Sequence, residues 1–301
     1  MIQTNKMNKL LKRIALKIPH VKKYYQYVNE LRRENEELKK QVYMELQRIH
    51  PSKTWHLQRQ MLTYESILDN IDDTINNKKC FCPLCKNEFK VFLPAGVVLR
   101  KNAECPHCNS LERHRMLALY LEKHTDLIKN IKPIRLLHFA PEPVLSNIFN
   151  SLTNIDYYPV DFDPSIKGIR DIIDIQKITY KDDFFDAIIC FHVLEHIPDD
   201  HAAMKELFRC LKKEGVAYID VPLDKTLDVT FENPEYNTPE LRTQYYGQHD
   251  HVRKYGNDFI QKLQIAGFKV NIIYPNNDFQ ESEIDRYGLS KNNKMFLCTK
   301  N

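Results

Sequence analysis

The spacing of apolar residues changes character along the chain. Residues 7–18 place Met7, Leu10, Leu11, Ile14 and Ile18 on one face of a helix, with Lys9, Lys12, Arg13 and Lys17 elsewhere, until Pro19 interrupts the pattern. Residues 21–49 carry a heptad instead. Val21, Tyr24, Val28, Leu31, Asn35, Leu38 and Val42 alternate between a and d positions, and Ile49 returns to a. Asn35 at an a position favours a parallel two-stranded register, and Glu34 at g can meet Lys39 at e of a partner. Glu45 at d breaks the last heptad, with Leu46 beside it. Residues 52–77 read as a polar helical connector.

From residue 111 the pattern alternates between helix and strand. Leu111–Ile128 is amphipathic, Ile134–Phe139 and Ile155–Val160 are apolar strands, and Asp186–Phe191 is a third. His201–Leu211 is a helix, Val216–Val221 a strand, Phe259–Ala266 a helix stopped by Gly267, and Val270–Tyr274 and Met295–Thr299 close the series. Strands this apolar must be covered on both faces, which predicts an α/β fold with a doubly wound, mostly parallel sheet. Ligands of such sheets bind at the carboxyl ends of the strands. The expected organisation is a basic amphipathic helix and coiled coil over 1–50, a connector over 51–78, a zinc ribbon over 79–110 and the α/β domain over 111–301, with 223–257 as a cap or lid.

Composition narrows the chemistry. The chain has 301 residues, 43% of them apolar, enough for a core, and a net charge of +4, too small to imply a nucleic-acid partner by itself. No apolar run reaches membrane-spanning length and the basic N-terminus lacks a secretory apolar region, so a cytoplasmic location is expected. There are 7 glycines, none between Gly96 and Gly168, so a nucleotide site in that stretch cannot use a glycine-rich loop. Cys82-Pro-Leu-Cys85 and Cys105-Pro-His-Cys108 are separated by nineteen residues. Two such turns can complete a tetrahedral four-thiolate set, which is closed and therefore structural, and zinc is the expected ion. Phe89–Leu93 and Val97–Leu99 read as a hairpin between the knuckles, and Cys80 is a spare. His107 and His114 would be ligands only if a cysteine were displaced; Cys190, Cys210 and Cys298 read as core residues.

The segment Phe185-Asp186-Ala187-Ile188-Ile189-Cys190-Phe191-His192-Val193-Leu194-Glu195-His196-Ile197-Pro198-Asp199 resembles the strand-four signature of class I S-adenosylmethionine-dependent methyltransferases of the type 11 group. Asp174 lies twelve residues before Asp186, and Gly267-Phe268 follows the penultimate helix, as in that group. The resemblance implies a Rossmann-like methyltransferase domain, with Asp161 on the ribose of S-adenosylmethionine and Asp174 on its adenine side. Ser110–Arg115, directly after the second knuckle, suggests a subgroup with a fused ribbon.

The chain departs from the family in the first motif. In Leu137-His138-Phe139-Ala140-Pro141-Glu142-Pro143-Val144, His138 stands where the family has an acid, and Ala140, Glu142 and Val144 stand where it has glycines. Ala140 is then expected to wall the methionine end of the cofactor and Glu142 to take its ammonium group. The alternative is that Glu142 is a charge at a helix N-terminus.

His192 is a candidate at the methyl-transfer point, as base or orienting group, or as a cap of local structure. Glu195 and His196 read as a helix-start pair, with His196 also a candidate for the substrate. Tyr246–Gly256 is flanked by Gly247 and Gly256 as by hinges, and it resembles the family's approach segment. His249 and His251 are catalytic candidates there, and Asp250 and Arg253 substrate-binding ones.

The leading expectation is methyl transfer to an oxygen of a small molecule or glycan. One alternative is an RNA methyltransferase that uses Lys79, Lys86, Lys90, Arg100, Lys101, Arg113, His114 and Arg115 as a basic stripe. Another is a catalytically dead scaffold. The expected partners are a second copy through residues 21–49 and either an anionic membrane surface or the protein itself for residues 7–18.

Overall fold

The computed structural model describes residues 80–96, 99–129 and 132–300, together with Arg33 and Arg59. The expected helix over 7–18, heptad over 21–49 and connector over 52–77 lie outside the described residues. The chain divides into two compact units, Met1–Leu62 and Thr63–Asn301, and the described strands all lie in the second.

A ribbon opens the described part. β1 (Cys80–Phe81) pairs antiparallel with β2 (Glu88–Phe89), and β3 (Leu93–Ala95) with β4 (Arg100–Glu104). The hairpin thus lies later in the chain than its apolar pattern suggested, because β4 is a largely exposed strand whose RKNAE sequence carries no apolar alternation.

The α/β domain follows with α1 (Glu112–His124), β5 (Ile134–Phe139), α2 (Pro143–Ser151), β6 (Ile155–Asp161), β7 (Asp171–Ile172) and β8 (Phe185–Phe191). A short 3₁₀ turn, Leu194–His196, leads to α3 (Asp200–Cys210) and β9 (Leu211–Asp220). Then come α4 (Pro239–Tyr246), α5 (Phe259–Ile265), β10 (Lys269–Ile273), α6 (Pro275–Asp278), α7 (Glu281–Tyr287) and β11 (Met295–Thr299). The seven-stranded sheet has the order β10-β11-β9-β8-β5-β6-β7. β5, β6, β7, β8 and β9 run parallel, and β11 is antiparallel to both its neighbours. The chain leaves β5 toward β6 and β7, then returns to β8 on the other side of β5. That reversal is the crevice where doubly wound sheets bind ligands.

Two apolar layers cover the sheet. Leu137, Phe139, Ile188 and Cys190 belong to one, and Leu136, Ala187, Ile189 and Phe191 to the other. Successive residues of one strand serve opposite faces, so burial on both sides demands an unbroken apolar run.

The ribbon is joined to this domain through Ser110–Arg115. Glu112 holds Arg100 of β4 in a bidentate pair at 2.9 and 3.0 Å. Arg115 is fully buried, lies 4.0 Å above the Phe92 ring, and donates to the carbonyls of Ser110 (2.6 Å), Tyr287 (2.7 Å) and Gly288 (2.7 Å). Gly288 has φ 57°, and a Cβ there would stand 2.4 Å from Phe92, so glycine is required twice over.

Candidate active site

The crevice is framed by the carboxyl ends of β6, β5, β8 and β9. Immediately after β5, Ala140 has φ 47°, and immediately after β8, His192 has φ 53°. Both occupy the left-handed region, where a non-glycine residue is held at a cost of order 1–3 kcal/mol by its surroundings. The Ala140 N–H is tied to the Val160 carbonyl at 3.1 Å and the His192 N–H to that of Asp220 at 2.9 Å. Ala140 therefore keeps a glycine-like turn without glycine.

Beyond that turn lies a buried polar chain. The Leu111 N–H donates to Nδ1 of His114 at 3.1 Å, which leaves the ring proton on Nε2, 3.0 Å from Oε1 of Glu142. Nε2 of His138 stands 3.1 Å from Oε2 of Glu142, and a carboxylate only accepts, so Nε2 donates. Nδ1 of His138 then accepts from Tyr157 Oη at 2.8 Å, and Tyr157 Oη lies 3.0 Å from Ser146 Oγ. Arg113 Nε adds positive charge 3.6 Å from Glu142.

Burial alone would raise the Glu142 pKa, but the two imidazole donors outweigh it and hold the carboxyl far below its usual range. Burial pushes the His114 pKa down despite Glu142. Glu142 is also the N-cap residue of α2, with Pro143 at the first helical position and no side-chain cap bond. Its two oxygens thus serve the histidines, an occupation that the expectation of a free ammonium partner did not include.

Asp161 ends β6, and its Oδ1 accepts from the Asp163 N–H at 2.9 Å. Phe162 beside it is 72% exposed, and Ile172, paired with Asp161 across β6 and β7, is 59% exposed. Exposed apolar groups next to a strand-end carboxylate fit a nucleoside, ribose on the acid and base on the apolar face. Asp174 accepts from the Gln176 backbone at 2.9 Å and from its side chain at 3.2 Å.

On the acceptor side, Nδ1 of His192 is 3.2 Å from Oε1 of Glu195 and Nε2 is 3.6 Å from Oδ2 of Asp220. Burial would lower the His192 pKa, but these two carboxylates prevail and raise it to about 9. Neither carboxylate contact was visible in the sequence. Asp220 is a site residue that the sequence reading missed. The available signal was its place as an acid at the carboxyl end of a parallel strand.

Glu195, His196 and His251 converge, with their ligating atoms within 4.8 Å of one another. Asp250 meets His196, its Oδ2 lying 3.3 Å from Nδ1. His249 is not part of this group: it is 73% exposed and 3.9 Å from its neighbour Asp250. Arg253 corrects the substrate-binding expectation. It is 1% exposed, and all five of its N–H donors are committed to the protein. They reach the carbonyls of Leu194 (3.0 Å), Ile197 and Pro198 (2.8 Å) and both oxygens of Glu232 (2.9 and 3.1 Å). The guanidinium clamps the cap to the 3₁₀ turn and keeps no donor for a substrate. Gly256 is likewise no hinge, since a Cβ there would stand 2.7 Å from the Val229 carbonyl carbon. A cavity of about 280 Å³ lies under the cap, lined in part by Pro222, Lys225, Tyr246 and His251.

In the ribbon, the four thiols of Cys82, Cys85, Cys105 and Cys108 also lie within 4.8 Å of one another, with Sγ separations of 3.6 Å (Cys82–Cys108) and 3.7 Å (Cys85–Cys105). The edge of a tetrahedron with zinc–sulfur bonds of about 2.3 Å is about 3.8 Å, so the donor set fits zinc. Each knuckle closes identically: Lys86 N–H to Cys82 O at 2.9 Å, and Asn109 N–H to Cys105 O at 3.0 Å. Cys80 stands outside this set, its thiol directed to the Lys90 carbonyl.

A doubly wound sheet whose chain order reverses beside β5, with an acid ending the neighbouring strand, is a fold that binds its ligands at the carboxyl ends of the strands. Residues 114–271 match the family described as "Methyltransferase domain", so the chain belongs to it and is an S-adenosylmethionine-dependent methyltransferase.

Similar solved structures include the [4+2]-cyclase SpnF, at 15% identity and TM-score 0.42, covering 62% of this chain and 80% of that one. The YcgJ protein from Bacillus subtilis, at 15% identity and TM-score 0.41, covers 62% and 99%. Haemonchus contortus phosphoethanolamine N-methyltransferase 2, in complex with S-adenosyl-L-methionine, is 13% identical with TM-score 0.41, covering 62% and 52%. A search of curated proteins finds no match.

Proposed function

We propose that the enzyme methylates a hydroxyl oxygen of a small molecule or glycan. The observation that supports this reading is the open pocket beside the cap, whose lining residue His251 converges with Glu195 and His196 of the turn after β8. When bound, S-adenosylmethionine supplies an electrophilic methyl group on a sulfonium. Asp161 would accept both ribose hydroxyls, Asp174 would face the adenine side, and Phe162 and Ile172 would pack on the base. The left-handed Ala140 lets the backbone pass close to the methionine end, with Glu142 near its ammonium. His192, held by Asp220, orients the acceptor oxygen against the methyl carbon, and this alignment is the main catalytic contribution. The thiolate set of Cys82, Cys85, Cys105 and Cys108 would hold one structural zinc.

The RNA reading is less favoured by what the basic residues do. Arg100 is paired with Glu112, His114 is buried against Glu142, and Arg115 is fully buried.

Calorimetry of Asp161→Ala with S-adenosylhomocysteine tests the site. Losing one bidentate charge-assisted contact is expected to cost about 2–3 kcal/mol, or roughly 30–150-fold in affinity. Wild-type affinity in that variant would refute the assignment of the ribose site.

A further inference from the structure

We propose that Glu195, His196 and His251 bind one first-row divalent metal ion, distinct from the thiolate site of the ribbon. Their three ligating atoms lie within 4.8 Å of one another. Glu195 carries the strongest mark. It is 1% exposed, and neither carboxylate oxygen has a hydrogen-bond partner. A buried carboxylate without hydrogen bonds is costly, and native proteins rarely keep one without a counterpart. His192 pairs with Glu195 by charge, its Nδ1 lying 3.2 Å from Oε1 without a hydrogen bond, and this leaves Oε2 facing no donor.

The arrangement is also fixed. The Val252 N–H donates to the Glu195 carbonyl at 2.9 Å, which pins the loop that carries His251 to the 3₁₀ turn. The His196 and His251 rings meet edge to face at 4.8 Å and 85°. Asp250 flanks Nδ1 of His196, and a carboxylate on a ring nitrogen is the usual means of orienting a metal-bound imidazole. His196 is 32% exposed, and His251 lines the cavity, so the group is reached from outside.

Two imidazoles and one carboxylate select the Mn²⁺-to-Zn²⁺ series over Mg²⁺ or Ca²⁺, which prefer oxygen alone. Three protein ligands leave coordination positions open. The role of the ion rests on the O-methylation reading, although its binding does not. A hydroxyl of the acceptor bound at an open position is acidified, and its proton passes to solvent. The oxygen then forms its bond to the methyl carbon as the carbon–sulfur bond breaks, leaving the neutral thioether.

Titration of the zinc-loaded full chain with Co²⁺, followed by visible absorption, tests the site. The expected result is one further equivalent with d–d bands and no sulfur-to-metal charge transfer. Glu195→Gln, His196→Ala and His251→Ala should each weaken that binding at least roughly tenfold. Binding of S-adenosylhomocysteine by the same variants reports that they are folded, and the near-isosteric Glu195→Gln decides if a histidine variant is not. Absence of the extra equivalent, or wild-type Co²⁺ affinity in Glu195→Gln, overturns the proposal. Cobalt binding without methyl transfer to hydroxyl acceptors would keep the metal site and remove the O-methylation reading.

Discussion

Glu142 shows how one carboxylate can settle a loop. With Oε1 on His114 and Oε2 on His138, it completes a chain of hydrogen bonds from Ser146 through Tyr157 to the start of α1. Its pKa is depressed in the fold, so its stabilisation is complete above its ordinary value of 4.5 and lost as pH falls below it. His114 is buried and its pKa is lowered below 6.5, so the unfolded chain takes up that proton first. Both signs agree: stability in urea should decline as pH drops below about 6.5 and decline further below about 4.5. Glu142→Gln should lower stability at neutral pH by about 1–3 kcal/mol, because an amide presents an N–H to one histidine donor, and should shrink the lower step. Titrating that variant with S-adenosylhomocysteine separates two roles. Reduced affinity keeps Glu142 at the cofactor's ammonium, whereas unchanged affinity leaves it to the hydrogen-bond network.

At the scale of elements, the two knuckles of the ribbon are matched turns, each with a residue in the left-handed region, Lys86 at φ 59° and Asn109 at φ 58°. The ribbon's own apolar interior is small. Its buried cluster consists of Cys82, Phe92 and Cys105. A bound structural zinc contributes on the order of 10 kcal/mol to such a module. Cys105→Ser is therefore expected to lose one zinc per chain by elemental analysis and to leave Cys82, Cys85 and Cys108 open to thiol reagents. Unchanged zinc content and protected thiols would remove the four-thiolate reading. The helix read over Leu111–Ile128 ends earlier, at His124, where Thr125 turns its hydroxyl back to the Leu121 carbonyl at 2.9 Å and takes an extended backbone. Apolar periodicity runs past that point, since Leu127 is buried from the following loop.

For the molecule as a whole, the ribbon and the α/β domain share one compact unit, because Arg115, Phe92 and Gly288 draw the second knuckle, the ribbon hairpin and the end of α7 together. Among the described residues no helix is long and apolar enough to cross a membrane. The heptad over residues 21–49 leads us to propose a parallel dimer. Removing residues 1–50 should convert a dimer into a monomer in sedimentation, and a full-length chain already monomeric at micromolar concentration would refute the pairing.

The helices over 143–151, 239–246, 275–278 and 281–287 and the strand β7 were not legible in the sequence. The long apolar strands and their order were, because a strand buried on both faces must be apolar throughout and that is a local property. The cysteine knuckles were legible for the same reason: each CPxC turn closes within five residues on its own backbone. The strand-end acid Asp161 could be placed by position along its strand. What the tertiary structure alone decided is which charged side chains face one another. Asp220 meets His192 only because β9 lies beside β8. Arg253 looks like a substrate ligand in sequence, yet its five donors are taken by carbonyls and a carboxylate from distant segments. Glu195 and His196 come from one turn and His251 from the far end of the cap, so their convergence exists only in the folded chain. Side-chain charge is written locally, but partners across a sheet edge are set by long-range packing, and in this protein the surroundings of His192, Glu195 and His251 depend on those partners.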